Sequence, residues 1–219
     1  MIPRSLLPFT SWRKTIHHHQ KTTRCLSSFS FSGAKTLNEI MKTDLLQDKN
    51  KQQIIDIWKE YHADKKDTYG KVLDGEAGKN VLQRAKQCPF FIQPVFREEG
   101  FFTLVSQYQS PSYFLMAYLE DYKVDPTNAR PLITFSVFDD LATSHDVTLI
   151  RGELINKGIE NWEGKKIINN MLEAYANDED YEVGALPFNK TPESFDIDDY
   201  ISCQNQKWKK ELTEMEEKQ

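Results

Sequence analysis

Five strand-like segments follow one another between residues 90 and 154, and only short connections separate them. They cover residues 90–96, 101–108, 112–122, 131–138 and 147–154. The first two are rich in aromatic residues, and the connection between them, residues 97–100, ends in glycine, which is typical of a β-hairpin. Parallel neighbours need a crossover of about a dozen or more residues, so these short links predict an antiparallel meander rather than β-α-β units.

Helical patterns precede this predicted sheet. Residues 36–46 and 51–62 carry apolar side chains at helical spacing, and each predicts a short amphipathic helix. A third short helix is expected from about residue 78 to 87. Residues 65–79 hold three glycines among charged residues, which predicts a loop.

Helices are also expected after the sheet. A long amphipathic helix is predicted over residues 161–176, with Asn161 as its N-cap. A second, short helix is expected after Thr191 and Pro192, since threonine can cap a helix and proline suits its first turn. The predicted fold class is α+β: an antiparallel sheet of about five or more strands, flanked by N-terminal short helices and a C-terminal helix pair.

The first 35 residues have the composition of a mitochondrial transit peptide. They contain six Lys or Arg, ten Ser or Thr and no Asp or Glu, and their apolar residues are spaced apart. A secretory signal would need an uninterrupted apolar stretch of about seven to fifteen residues. We therefore predict import into mitochondria, with cleavage between about residues 24 and 35. The alternative is a basic arm that binds nucleic acid or acidic lipid.

The chain is thus divided into a transit peptide (residues 1–35), a single α+β domain (residues 36–205) and a charged helical or disordered tail (residues 206–219). Removal of the first segment would leave 22 Lys and Arg against 33 Asp and Glu, counted from the whole chain's 28 and 33. An acidic body of this kind is a poor candidate for nucleic-acid binding. No apolar stretch approaches eighteen residues, so membrane insertion is not expected.

The sequence contains no pattern that predicts catalysis. Ser144, His145 and Asp146 have the residue types of a nucleophilic triad, but adjacent residues cannot converge as triad members must, and a polar turn is expected instead. The residues from Gly158 to Lys165 depart from the phosphate-binding loop pattern in spacing and in the residue after the lysine. We expect no catalytic, cofactor-binding or metal-binding residues, and no enzymatic activity.

The first three predicted strands carry large apolar side chains at successive positions, so both faces of the sheet are apolar there. A sheet covered on one side needs only one apolar face. Either helices lie on both sides, or an apolar patch is left for a partner. For the second case the candidates on the face away from the long helix are Phe91, Phe101, Phe114 and Tyr118. A one-residue error in register would move the set to the other face.

Five short segments carry a family resemblance: residues 36–41, 57–62, 85–91, 97–100 and 195–200. In order and spacing they resemble the mitochondrial F(1) ATP synthase assembly factor 1 family, over roughly residues 36–205. The charged tail after Asn205 and the near absence of a linker before the core depart from that pattern, and they put any role of the termini in doubt.

The resemblance implies a chaperone of the mitochondrial matrix that binds the free beta subunit of the F(1) sector and shields the surface that later meets the alpha subunit. It also implies an α+β fold with no enzymatic activity and no required cofactor, and we expect a monomer. Two other classes stay open: a small matrix enzyme whose active-site groups are scattered along the sequence, and a structural subunit of a mitochondrial complex.

Overall fold

The computed structural model describes residues 35–216, with side chains up to residue 213. The predicted transit peptide lies outside the described residues except for its last residue, Lys35. A 3-10 turn (Thr43–Leu46) and a π-helical turn (Tyr181–Ala185) accompany the regular elements. In chain order those elements are α1 (Leu37–Ile40), α2 (Lys51–Ala63), β1 (Thr68–Asp74), α3 (Gly75–Gln87), β2 (Phe90–Arg97), β3 (Gly100–Gln109), β4 (Tyr113–Tyr118), α4 (Leu119–Val124), β5 (Pro131–Phe138), β6 (Val147–Leu154), α5 (Asn161–Ala176), α6 (Asp178–Asp180), α7 (Leu186–Lys190) and α8 (Ile197–Glu216).

The strands form one antiparallel sheet of six strands in the order β1-β6-β5-β4-β3-β2. The predicted meander and the α+β class are confirmed, but the loop expected over residues 65–79 is wrong, because it contains β1. The glycine that suggested a loop has another role. A Cβ atom at Gly70 would lie 2.5 Å from the imidazole of His62, so glycine here lets α2 approach the strand closely.

Three element boundaries differ from the expected ones. The segment expected as one strand over residues 112–122 leaves the sheet after Tyr118 and turns into α4. α3 begins at Gly75, three residues earlier than expected. The N-cap of α5 is Glu160 rather than Asn161, because the Glu163 carboxylate accepts a hydrogen bond from the Glu160 backbone N–H at 2.8 Å.

Helices cover both faces of the sheet. On the α5 face, the ring of Phe91 lies 6.4 Å from that of Tyr175 in α5, and α3 and α7 pack on the same side. On the opposite face, called the α2 face, Trp58 of α2 lies 6.4 Å from Phe138 of β5, and α4 lies over the neighbouring strands β3 and β4. Of the two explanations for a sheet that is apolar on both sides, the structure shows the first.

The two covers bury two hydrophobic clusters. The larger one is rich in aromatic rings, and at its centre Phe114 stacks on Phe135 with ring centroids 4.3 Å apart. The smaller one lies under α2 and includes Ile54 and Trp58, both 0% exposed. Because burying one large apolar side chain contributes about 1.5–3 kcal/mol, both clusters stabilise the sheet and fix the position of its helices.

The C-terminal helices begin and end where the sequence did not indicate. Thr191 is the C-cap of α7, so the helix start expected at Thr191 and Pro192 is wrong. α8 begins at Ile197, where the Asp196 carboxylate accepts hydrogen bonds from the N–H groups of residues 198 and 199. α8 then continues without a break through residue 206, and its Trp208 is only 1% exposed.

Candidate functional site

The four aromatic residues predicted to bind a partner are divided between the two faces. Phe91 and Phe114 are 1% and 0% exposed, and their rings lie 6.4 and 5.8 Å from Tyr175 of α5. Tyr118 lies on the same face and is partly exposed. Phe101 lies on the α2 face, opposite Phe96 of β2, and is 53% exposed.

The expectation that this set faces away from the long helix is therefore wrong for Phe91, Phe114 and Tyr118. Alternation along a strand shows which residues share a face, but it does not show which face receives the helix. In these strands both alternating sets are apolar, so polarity could not decide between them. Binding of a partner by the four residues stays a prediction, and the structure leaves Phe101 and Tyr118 accessible for it.

Phe101 belongs to a row of aromatic rings at one corner of the molecule, formed by Phe101, Phe96, Trp208 and Trp162. Successive ring centroids are 5.6, 6.0 and 6.1 Å apart. The outer members of this aromatic corner are exposed, Phe101 by 53% and Trp162 by 38%, while Trp208 is buried between them. Three elements far apart in sequence meet here: the β2–β3 hairpin, the first turn of α5 and the middle of α8.

A buried ion pair fixes the hairpin to α5 beneath the aromatic corner. Arg97 donates through Nε and a terminal nitrogen to the two carboxylate oxygens of Glu163, both at 2.7 Å, and to the Gly158 carbonyl at 2.7 Å. The Glu163 side chain is 2% exposed and that of Arg97 45%. The hydrogen bonds that Arg97 donates to the Glu163 carboxylate raise the pKa of the Arg97 guanidinium. This geometry is the bidentate arrangement that only arginine can make.

A second ion pair fixes α8 to α5. The Lys166 ammonium is buried, lies 4.3 Å from the ring centroid of Trp208 and donates to the Trp208 carbonyl at 2.9 Å. It also pairs with Glu211 at 2.9 Å. The indole N–H of Trp208 is buried and has no acceptor among the described residues. The cation under the ring and the two contacts along α8 hold Trp208 at the centre of the aromatic corner.

Sequence reasoning did not identify Trp162 and Trp208 as members of this corner. Trp162 falls in the first turn of a helix whose buried stripe was assigned further along, and Trp208 falls in a segment of lysines and glutamates assigned to the tail. One signal was available for Trp208, namely that it is the one tryptophan among many charges, spaced four residues from Leu212 on a helix.

A cleft of about 330 Å³ lies between α5, the π-helical turn and α8. Phe91 and Tyr200 lie at its base, Val183 is 71% exposed at its rim, and Lys207 pairs with Asp180 at 2.6 Å across it. Burial raises the pKa of Glu173 in its wall. The cleft joins acidic and aromatic groups.

The serine, histidine and aspartate run does not form a catalytic set in the structure. Ser144 Oγ and His145 Nδ1 are 2.7 Å apart in the turn between β5 and β6. The Asp146 carboxylate instead accepts from the Gly75 N–H at 3.0 Å and the Lys51 ammonium at 2.6 Å. Within the part of the chain that the structure describes, no His, Cys, Asp or Glu cluster could hold a metal ion, and no helix is long and apolar enough to cross a membrane.

Comparison with known proteins gives a consistent result. A family model described as "ATP11 protein" matches residues 9–201. A Danio rerio protein named "ATP synthase mitochondrial F1 complex assembly factor 1" is 25% identical over 167 residues, which cover 75% of this chain and 54% of the relative. Proteins of the same name from Homo sapiens and Mus musculus are 26% identical over 166 residues and 25% over 169, covering 75% and 77% of this chain.

The chain spans about half the length of the curated relatives it matches, with 50% of the human and 52% of the mouse protein covered. The family match ends at residue 201, so it includes the β2–β3 hairpin and α5 but stops before Trp208. Three of the four rings of the aromatic corner therefore lie within the matched residues.

Proposed function

Because this chain belongs to the ATP11 protein family, we propose that it assists assembly of the F1 complex of mitochondrial ATP synthase. The observation that carries this proposal is the family match over residues 9–201, which includes the whole sheet and the helices on both of its faces. The names of the three relatives, each an F1 complex assembly factor, support it.

We further propose that the protein acts as a non-catalytic, monomeric chaperone in the matrix, binds the unassembled beta subunit of F1 and prevents its aggregation. The resemblance of five segments between residues 36 and 200 to the assembly factor 1 family supports this choice of client. The aromatic corner supports a holding function, because exposed aromatic side chains are the usual anchors of a protein interface.

The aromatic corner is the surface that we assign to the client. A standard interface buries about 800 Å² on each partner and has its strongest contacts near its centre. Phe101 and Trp162 supply two exposed rings, and the ion pairs of Arg97 and Lys166 hold the elements that carry them. A rigid surface of this kind loses little conformational entropy when the client binds.

Replacing both Phe101 and Trp162 by serine is expected to weaken binding of the isolated beta subunit by about tenfold or more. The Phe101→Ser change alone should alter the free energy of unfolding by no more than about 1 kcal/mol, since exposed positions contribute little to stability. Calorimetric titration and urea unfolding measure the two quantities. The matched control is Val124→Ser, a change at a side chain that is 87% exposed on α4. Equal affinities of the double variant and the control would remove the corner from the interface.

Loss of the protein should leave the alpha and beta subunits present but insoluble. We expect ATP hydrolysis by the F1 sector to disappear while the membrane sector persists, because the client aggregates before it meets its partner. Fractionation of mitochondria from cells that lack the protein, followed by an ATPase assay, measures both effects. Soluble, assembled F1 in those cells contradicts the proposed function.

Affinity purification of the mature protein from a matrix extract separates the three functional classes. A chaperone yields a substoichiometric complex with one free subunit, a structural subunit sediments with an assembled complex, and an enzyme gives neither.

N-terminal sequencing of the protein purified from the organelle tests the proposed transit peptide, and an intact Met1 rejects it.

A further inference from the structure

The two edges of the sheet differ in how their backbone groups are satisfied. At the β2 edge, the backbone groups of Phe90, Ile92, Pro94 and Phe96 point outward, as the ladder with β3 requires. The Asn189 amide donates to the Phe90 carbonyl at 2.6 Å and accepts from its N–H at 3.2 Å. The Tyr200 hydroxyl donates to the Ile92 carbonyl at 3.2 Å, and Pro94 has no N–H. Side chains and a proline thus close the part of this edge from Phe90 to Pro94 to another strand.

The β1 edge is open. Leu154 donates its N–H to the Asp67 carbonyl, which sets the ladder with β6 so that the backbone groups of Thr68, Gly70 and Val72 point outward. Among the described residues, none donates to or accepts from these groups. All three residues are partly exposed. The segment from residue 68 to 72 is about 17 Å long at the rise of an extended strand.

Lys71 is the one charged residue in the middle of β1, and its side chain does not block pairing of this edge with a further strand. Inward-pointing or projecting lysines commonly prevent a second strand from pairing. The Lys71 ammonium instead lies on the α5 face and donates to the Asn169 side chain at 2.8 Å. Among the described residues, β1 therefore leaves its outward backbone groups free, in contrast to β2.

We propose that the outer edge of β1 accepts an extended segment of the client as a seventh strand of the sheet. This inference rests on the proposed function, since it names how the same client is held. Three N–H and three carbonyl groups at alternate residues match only an extended backbone. Such pairing depends little on side chains, so it suits a client segment that is exposed only before assembly.

The surroundings of the edge favour an acidic client segment. Lys65 and Lys66 are exposed and lie just before β1, separated from it by the exposed Asp67. On the other side, the Lys165 ammonium lies 5.9 Å from the ring of Tyr69. A segment that alternates apolar residues with Asp or Glu would place carboxylates near these ammonium groups.

Amide hydrogen exchange with and without the isolated beta subunit tests the inference directly. The amides of Thr68, Gly70 and Val72 should exchange rapidly in the free protein and about tenfold or more slowly in the complex. If the beta subunit binds and these amides keep their rates, the inference fails while the proposed function stands. If the beta subunit does not bind the unmodified protein, both fail. Protection already present in the free protein, together with a dimer in sedimentation, would assign the edge to a second copy and overturn the inference.

A proline in β1 at a position whose N–H points away from β6 should block pairing with a further strand, as Pro94 does in β2. Val72→Pro removes an outward N–H and leaves the ladder with β6 intact. We expect it to weaken client binding by about tenfold relative to Val72→Ala, which loses a comparable side chain but keeps the N–H. Thr68→Pro and Thr68→Ala give the same comparison at the other end if Val72→Pro does not fold. Equal affinities within each folded pair would overturn the inference.

Discussion

Replacing Phe114 by alanine is expected to lower the free energy of unfolding by about 3–5 kcal/mol, the range for truncating a buried phenylalanine. Phe114 is 0% exposed, stacks on Phe135 at 4.3 Å with an interplanar angle of 8°, and lies 5.1 Å from Tyr108 and 5.8 Å from Tyr175. Alanine would leave a cavity between the sheet and α5 that neither rigid element can fill. Equilibrium unfolding in urea measures the change.

Phe101→Ala is the matched control, because it makes the same chemical change at a ring that is 53% exposed. Its effect should stay within about 1 kcal/mol. The difference between the two losses of stability shows that Phe114 lies in the core and Phe101 on an accessible surface. Equal losses of stability in both would contradict the placement of Phe101 on an accessible surface.

Arg97→Ala is expected to destabilise the protein by about 2–3 kcal/mol. Breaking a buried ion pair costs about 3–5 kcal/mol when the remaining charge is left without a partner. The expected loss here is smaller because the Arg97 side chain is 45% exposed, so water can reach the carboxylate of Glu163 once the arginine is gone. The hairpin would also lose its hydrogen bond to the Gly158 carbonyl, and with it the fixed position of Phe101.

Two further variants check the cause of this effect. Lys123→Ala removes a cation from an exposed pair with Glu120 and should change stability by less than about 0.5 kcal/mol. Arg97→Met combined with Glu163→Leu leaves no unpaired charge and should recover part of the loss, since an apolar pair of similar volume often replaces an ion pair without cost. A loss in Arg97→Ala no greater than that in Lys123→Ala would show that the ion pair does not hold the hairpin.

The antiparallel sheet could be predicted because its cause is local. The links between successive strands from residue 90 onward are too short for crossovers, and this restricts the connectivity whatever the helices do. The helices α2 and α5 could be predicted for a similar reason, since each carries its buried stripe at helical spacing. β1 could not be predicted, because its glycine and charges are compatible with a loop and its pairing with β6 spans more than seventy residues.

Part of the candidate site could be predicted too. Phe101 is exposed on the face away from α5, as expected, and Tyr118 is partly exposed but lies on the α5 face, whereas Phe91 and Phe114 are core residues. The error has one source: where both alternating sets of a strand are apolar, the sequence holds no asymmetry that shows which set meets the long helix. That choice depends on how the helices pack once the sheet exists.

The composition of this chain and the spacing of its apolar residues are sufficient for its fold class and its strand order from β2 to β6, and the resemblance of five short segments indicates its family. The aromatic corner and the open edge of β1 are not encoded in any single segment. The corner needs a hairpin, α5 and α8 brought together by two ion pairs, and the edge is recognisable only when the far side of the sheet is seen to be closed by Asn189, Tyr200 and Pro94. Local periodicity reports on neighbours along the chain, whereas exposure depends on contacts between residues distant in sequence.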